Sequence, residues 1–397
     1  MSTNEFQLIN HYFSRLGAVR PDVVLGVGDD CALLQVPAGK QLAVSIDTLV
    51  EGTHFSPDVD PESLGHKALA VNLSDLAAMG AEPAWVTLAL TLPRIDEAWI
   101  AAFCRGFGAL ASRYQVQLVG GDTTRGPLSI SVQVHGFVEP DKALRRDRAK
   151  AGDLIYVTGT LGDAGLALQT LKSDYDAGKQ LAVLQRRLDR PEPRLVEAGA
   201  LRDLATGAID ISDGLLADLG HICDKSRVGA TLQQADIPLS PAVAAYVRAT
   251  GDWSIPLAAG DDYELCLIVP ADEQSRIDAI AKTLHVAVTL IGQIEPGNAV
   301  RCVDAAGHPV DEPRGGYDPF PNPLATPQLA QSDPSTGFWS RFRRGTQGPW
   351  HLWNAGGGAT LSAAAVPGPS ALSGFNPATV PARHLAVWPH FPGSRGT

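Results

Sequence analysis

Val44-Ser45-Ile46-Asp47-Thr48-Leu49-Val50-Glu51-Gly52-Thr53-His54-Phe55 is the stretch on which the reading of the fold turns. Residues 42–46 have the character of a short buried strand, and the apolar run stops at Asp47. Gly52 then bends a loop that carries His54. An acid at the mouth of a strand faces the crevice where α/β proteins hold ligands. Asp also caps turns, so Asp47 alone leaves both readings open. Four further segments pair an Asp with glycine or with a strand end, and together they favour a functional site.

The first lies upstream. Residues 4–16 have an amphipathic helical pattern, with Phe6, Ile9, Phe13 and Leu16 on one side. Residues 21–30 read as a loop ending Gly26-Val27-Gly28-Asp29-Asp30. A lone GxG is weak, and neither a third glycine nor a GK[ST] follows. The loop is a solvated turn or the carrier of a carboxylate, Asp30, to a metal. Residues 31–35 and 42–46 are expected to pair as strands.

Downstream, Asp60-Pro61 starts a helix that should run to Met79 and stop at Gly80. Asn72 and Asp75 share one face of it. Their neighbours are small and apolar, and an ionised Asp there is costly unless paired or bound to a cation. Residues 84–92 form a strand, and Asp96 caps a helix reaching about Tyr114. Residues 117–119 then rise into Gly120-Gly121-Asp122-Thr123-Thr124-Arg125-Gly126, expected as a glycine-rich turn whose amides can approach an anion. Residues 128–138 alternate as a half-buried strand.

Residues 141–152 form a basic loop with Arg145, Arg146 and Arg148, either a solvated linker or a phosphate-pairing segment. A strand at 154–158 and a helix opening at Gly159-Thr160-Leu161-Gly162-Asp163 follow. A helix is expected over 190–204. Asp210-Ile211-Ser212-Asp213-Gly214 closes a short strand before a helix whose N-terminus can attract phosphate. Asp261-Asp262-Tyr263-Glu264 precedes a strand at 266–269, a helix at 271–284 and a last strand at 286–294.

Length and composition set outer limits. A chain of 397 residues exceeds one ordinary core, so two domains are expected. The 45% hydrophobic share fits a globular protein, and a net charge of −11 argues against nucleic-acid binding. No apolar run approaches a membrane span. The start Met1-Ser2-Thr3-Asn4-Glu5 lacks the features of a signal peptide. Five scattered cysteines without a CxxC fit a cytoplasmic protein and neither a disulfide frame nor a zinc site. Residues 319–397 contain no Lys, Glu, Ile, Met or Cys but hold 12 of the 29 prolines. That segment reads as disordered, and its composition fits translation of a GC-rich gene out of frame. Mass spectrometry of native protein should then find a chain ending near residue 320; recovered tail peptides exclude this.

Asp30, Asp47, Asp75, Asp122 and Asp213 share a physical difficulty. Two carboxylates about 4 Å apart repel by roughly 4 kcal/mol at an effective dielectric near 20. Held together, they need protons or cations, and an all-oxygen set suits Mg²⁺, Mn²⁺ or Ca²⁺ rather than zinc. With glycine-rich segments and arginines beside them, they indicate an enzyme of Mg-nucleotide that lacks a Walker loop.

LGVGDDCALL, SIDTLVEGTHF, NLSDLAAMGA, LVGGDTTRG, GDLIYVTGTLGDAGL, AIDISDGL and GDDYELC, in this order, resemble the thiamine-monophosphate kinases over about residues 4–318. These belong with aminoimidazole ribonucleotide synthetase and selenophosphate synthetase. The resemblance implies an α/β (α+β) protein of two domains. Residues 1–140 would form an N-terminal mixed sheet with helices that binds metal and ATP and pairs across a homodimer. Residues 150–318 would form a sandwich-like α/β domain. It implies direct, in-line, Mg²⁺-assisted transfer from ATP to thiamine monophosphate, without a catalytic side chain. Metal contacts would fall to Asp30, Ser45, the main chain of Ile46, Asp47, Asp75, Asp122, Asp210 and Asp213. ATP contacts would fall to Gly121, Asp122, Arg146 and Ser212, and substrate contacts to His54, Asp261 and Tyr317. Three rivals stand beside it. A selenophosphate synthetase would call for a reactive Cys in an N-terminal glycine-rich loop. A hydrogenase-maturation sibling would call for a C-terminal Cys, where this chain has Gly-Ser-Arg-Gly-Thr. The third is a non-catalytic Mg-nucleotide sensor.

Overall fold

The computed structural model describes residues 5–173, 175–284 and 287–310. Tyr317 and the segment 319–397 lie outside the described residues. Helix α1 (Glu5–Leu8) passes into a π-type turn over Ile9–Phe13, where the Ser14 N–H donates to Ile9 O at 3.1 Å. The N-terminal helix therefore ends earlier than its periodicity predicts. Leu8 and Phe13 are its buried residues.

Strands β1 (Val23–Leu25) and β2 (Leu33–Leu34) pair with each other. This corrects two expectations: residues 21–30 are not all loop, and residues 31–35 do not pair with 42–46. The reason is length. Strand β3 (Gln41–Val50) finds in a later strand a partner as long as itself, matched from Gln41↔Val138 to Val50↔Ser129.

Helix α2 (Pro61–Ala78) follows. Asp60 caps it, its carboxylate accepting from the Ser63 N–H at 2.9 Å. Then come β4 (Glu82–Leu92), α3 (Glu97–Arg113), β5 (Gln117–Arg125) and β6 (Ser129–Val138). They build a four-stranded mixed sheet in the order β3-β6-β4-β5, with only β4 and β5 parallel. The expected turn at residues 120–126 is instead strand as far as Arg125. Gly121 is needed for close approach, not for a turn, because a Cβ there would lie 1.9 Å from Leu88 O.

Strand β3 is an edge strand, and it runs on past Asp47. Ala43, Ser45, Asp47 and Leu49 face inwards, while Leu42, Val44 and Ile46 are 43, 49 and 60% exposed. The short buried strand of the sequence is therefore buried on one face only.

Strands β7 (Leu154–Thr158), β8 (Gly207–Asp210), β9 (Gly229–Gln233), β10 (Leu265–Val269), β11 (Val288–Glu295) and β12 (Val300–Val303) form a second sheet, ordered β12-β9-β11-β7-β10-β8. All its pairs are antiparallel except β12 with β9. Strand β11 is thus not the last. Helices α4 (Asp163–Lys172), α5 (Leu181–Asp189), α6 (Leu195–Leu201), α7 (Leu215–Ser226), α8 (Pro241–Thr250), α9 (Ser254–Ala258) and α10 (Gln274–Leu284) accompany it. The single helix expected over 190–204 is only α6. Pro191 and Pro193 keep residues 190–194 out of helix. Ile209, Leu215, Leu219 and Ile268 share one buried cluster, and Tyr156, Leu201, Leu267 and Ile277 another. The sheet is thus covered on both faces.

Helix α2 is apolar nearly all round, as a helix buried on every side must be. Leu69, Leu73 and Leu76 pack into the core of the first sheet. Ala77 and Ala78 join the cluster containing Leu201, Ala208 and Leu265. Its polar residues are therefore held at the junction between the two sheets. Among the described residues no helix is long and apolar enough to cross a membrane, and none of the five cysteines is in a disulfide.

Candidate active site

A cleft of about 1170 Å³ opens at that junction. Its walls come from the end of β3 and the following loop, one face of α2, α5, the end of β8, and the segment before β10. Asp47, Asp75, Asp210 and Asp213 all line it. These acids are separated by up to 166 residues of sequence, and each reaches the cleft by a different route.

Asp47 is placed by its backbone. Its N–H donates to Asn72 Oδ1 at 3.0 Å, and Asn72 Nδ2 donates back to Ala68 O at 3.0 Å. Asp75, on the next turn of α2, accepts from Ser45 Oγ at 2.5 Å. Strand β3 and helix α2 are thereby cross-linked twice beside the acids. Asp210 ends β8 and is buried. Asp213 sits in the loop entering α7, where Asp218 Oδ2 accepts the N–H groups of Ser212, Asp213 and Gly214 at 3.0–3.1 Å. Asp213, Asp218 and His221 place ligand atoms within 4.8 Å of one another. That Asp218 oxygen is already committed to three backbone donors, so the residue holds the loop in place.

The electrostatics follow from the crowding. Burial, with Asp75 and Asp213 nearby, raises the Asp47 carboxyl to about 6. Burial and the Asp75 charge raise Asp210 to about 8. Burial also raises Asp75, against the opposing pull of Ser45 and Arg146, and raises Asp213. Arg146 is exposed in the loop after β6, yet its charge acts on Asp75, Asp210 and Asp213 alike.

The end of the cleft next to the Asp213 loop carries His54, Lys67, Asp261 and Tyr263. His54 Nδ1 accepts from the Val50 N–H at 3.0 Å, which fixes the tautomer with the proton on Nε2. Asp261 N–H donates to Ser212 O at 2.8 Å, tying this end to the Asp213 loop. Gly260 is required at that contact, since a Cβ would lie 2.4 Å from Ser212 O. Asp261 and Tyr263 both have positive φ, +60° and +50°. Such strain in non-glycine residues concentrates at functional sites.

Not every expected residue arrives. Asp30 does not line the cleft, and neither do Ser45, Ile46, Gly121, Asp122 and Arg146. Gly121 and Asp122 line a separate small pocket with Val27, three residues before Asp30. That pocket is on the β5 side of the first sheet, and β5 is three strands from β3. At about 4.8 Å per strand, this is some 14 Å. Within one chain the acids therefore form a main group of four and an outlying pair. Lys67 and Tyr263 were missed in the sequence. A signal for Lys67 existed: it stands eight residues before Asp75, so both fall on one stripe of α2.

The model of AIR synthase related protein, N-terminal domain, matches residues 28–138, and that of the C-terminal domain matches residues 150–304. Thiamine-monophosphate kinase of Escherichia coli strain K12 is 50% identical over 325 residues, which cover 81% of this chain and 100% of that protein. The chain belongs to the thiamine-monophosphate kinase family. Among solved structures, the thiamine-monophosphate kinase of Stenotrophomonas maltophilia K279a is 47% identical. It superposes with a TM-score of 0.68, covering 71% of this chain and 92% of that one. AaThiL complexed with AMPPCP and TMP is 31% identical with a TM-score of 0.62, covering 70% and 88%. The family's two-domain α/β fold is the fold described above.

Proposed function

We propose that the protein transfers the γ-phosphoryl group of ATP to the phosphate of thiamine monophosphate, giving thiamine diphosphate and ADP. The observation that carries this is the convergence of Asp47, Asp75, Asp210 and Asp213 on one cleft large enough for two ligands. The relative AaThiL supports it by its complex with AMPPCP and TMP.

The chemistry asks little of the side chains. A phosphate monoester is already anionic at neutral pH, its second pKa being about 6, so its oxygen attacks without a general base. The new bond joins that oxygen to the γ-phosphorus. The bond from γ-phosphorus to the β-bridging oxygen breaks, and ADP leaves with the electron pair. The protein's part is alignment and charge control. The donor set fits Mg²⁺. It is all oxygen, and Asp47 is held near 6 by burial and its neighbours, which is unfavourable for the ionised cluster alone. Asp47, Asp75, Asp210 and Asp213 would hold the ions, helped by Ser45 and the main chain of Ile46. When bound, Mg²⁺ neutralises charge on the transferring phosphates. Ser212 and Arg146 would face the nucleotide, and His54 and Asp261 the acceptor.

The reading divides the chain into residues 1–140 for metal, ATP and dimerisation and residues 150–318 for the second domain. It also carries a homodimer and a cytoplasmic location. The exposed apolar row Leu42, Val44 and Ile46 lies on an edge strand, and β5 beyond Leu118 is the other edge of the same sheet. Joining the β3 edge of one copy to the β5 edge of another would make the pocket that holds Asp122 a neighbour of a second copy's β3. That accounts for Asp30 and Asp122 lying apart from the main group within one chain. Val44→Asp should therefore convert a dimer to a monomer in sedimentation velocity and lower turnover with it. A wild-type monomer, or a variant that stays dimeric, contradicts this arrangement.

The activity itself is tested by incubating the full chain with ATP, Mg²⁺ and thiamine monophosphate. Thiamine diphosphate and ADP should appear one for one. ATP binding without either product would leave a nucleotide sensor.

A further inference from the structure

We propose that Lys67 grips the phosphate of the acceptor, with Asp261 and Tyr263 aiming it. The proposal deepens the kinase reading above and rests on it.

Lys67 projects from α2 into the cleft wall, and its side chain is 3% exposed. Its ammonium donates to Asp261 Oδ2 at 3.2 Å. Asp261 Oδ1 accepts from the Tyr263 hydroxyl at 3.1 Å. Among the described residues Nζ has no other hydrogen-bond partner, so two of its three N–H groups remain unspent. Burying an ammonium is costly, and one hydrogen bond to a partly exposed carboxylate, with the Asp189 charge nearby, leaves part of that cost uncompensated. A site that holds such a group in a cleft wall is built to receive a further acceptor. The anchoring pair is rigid: Asp261 and Tyr263 sit at positive φ, and both are tied through their backbone N–H groups to residues 211 and 212.

Position selects the ligand. Lys67, Val71 and Asp75 form one stripe of α2, and all three line the cleft. Eight residues of helix place Lys67 about 12 Å along the axis from Asp75. The four acids suit cations carrying a triphosphate, and the Lys67 ammonium suits the acceptor phosphate that has to meet it. An acceptor phosphate has to come close to another polyanion in a cleft rich in carboxylates. A buried positive charge beside His54, bonded to an Asp261 whose own charge reaches Asp213, offers it a counter-charge next to the metal ligands.

The test is calorimetric titration of the full chain, saturated with Mg²⁺ and AMPPCP, with thiamine monophosphate and with thiamine. Wild type should prefer the phosphorylated ligand. Lys67→Met should cut that preference about ten- to a hundredfold, the worth of a charge-assisted hydrogen bond. The affinities for thiamine and for AMPPCP should hold, and Lys67→Arg should recover part of the preference. A merely structural Lys67 would weaken both acceptors equally, and that result overturns the proposal, as does an unchanged preference. If Lys67→Met does not fold, Lys67→Gln removes the charge, keeps a donor for Asp261 and gives the same readout. A wild-type chain that converts no thiamine monophosphate sinks the kinase reading and this inference together. A wild type that turns over, beside a Lys67→Met chain with unchanged preference, sinks the inference alone.

Discussion

Asp47→Asn and Asp75→Asn each lower turnover by about a thousandfold and leave the fold intact. Each substitution removes a charge and almost no volume. The structural tie of Asp47 is its backbone N–H to Asn72, which the substitution keeps. At position 75 an amide oxygen still accepts from Ser45 Oγ, so the bond between β3 and α2 survives. What is lost is a cation ligand in a cluster whose members already repel one another. The variants should therefore bind Mg²⁺ poorly, yet melt no lower than wild type in its metal-free state. Steady-state kinetics and thermal melts followed by circular dichroism check both halves. A variant that unfolds puts the residue among the structural ones, and one that turns over normally removes it from the metal site.

Stability of the metal-free protein should fall as pH rises from about 4 to about 8. The sign follows from proton binding. Asp47 moves from its ordinary 3.8 to about 6 in the folded chain, Asp218 to about 7 and Asp210 to about 8, in each case chiefly through burial. Between the ordinary and the raised values the folded state binds more protons than the unfolded one. Unfolding then becomes easier with each increment of pH. The loss begins near pH 4 and is complete for Asp47 above about 6, for Asp218 above about 7 and for Asp210 above about 8. Asp47 alone contributes about 3 kcal/mol. Denaturant titrations in EDTA should give a midpoint about 1–2 M higher at pH 5.5 than at pH 8, for an m-value of about 3 kcal/mol/M. Mg²⁺ with nucleotide should close most of the gap at pH 8. A metal-free protein that gains stability over this range would show that the carboxylates are not crowded as described.

Much of the site was legible because its chemistry conflicts with its surroundings. Asp75 on an apolar helix face and Asp47 at an inward-facing strand position are costly choices for structure alone, and both converge on the cleft. The caps of α2 and α3 were legible for a local reason, an Asp three residues before the N–H it accepts. Properties that depend on distant pairing were not. Residues 31–35 have a suitable strand pattern, but β3 pairs with a strand some ninety residues later. Gly121 signals close approach to Leu88 rather than a turn, and nothing adjacent in sequence distinguishes the two. Leu42, Val44 and Ile46 look like core residues, yet they face outwards from an edge strand. Lys67 escaped notice because a single lysine in a helix is ordinarily a surface residue. Its place on the Asp75 stripe of α2 gains meaning from its burial and its bond to Asp261.

The account stands on four carboxylates holding metal against a triphosphate in the cleft. Anomalous diffraction from crystals of the full chain, grown with Mn²⁺ and AMPPCP, tests this directly. Peaks should lie between Asp47, Asp75, Asp210 and Asp213, in contact with the phosphate oxygens of the analogue. Manganese and nucleotide bound outside that cleft, with the four side chains unliganded, would contradict it.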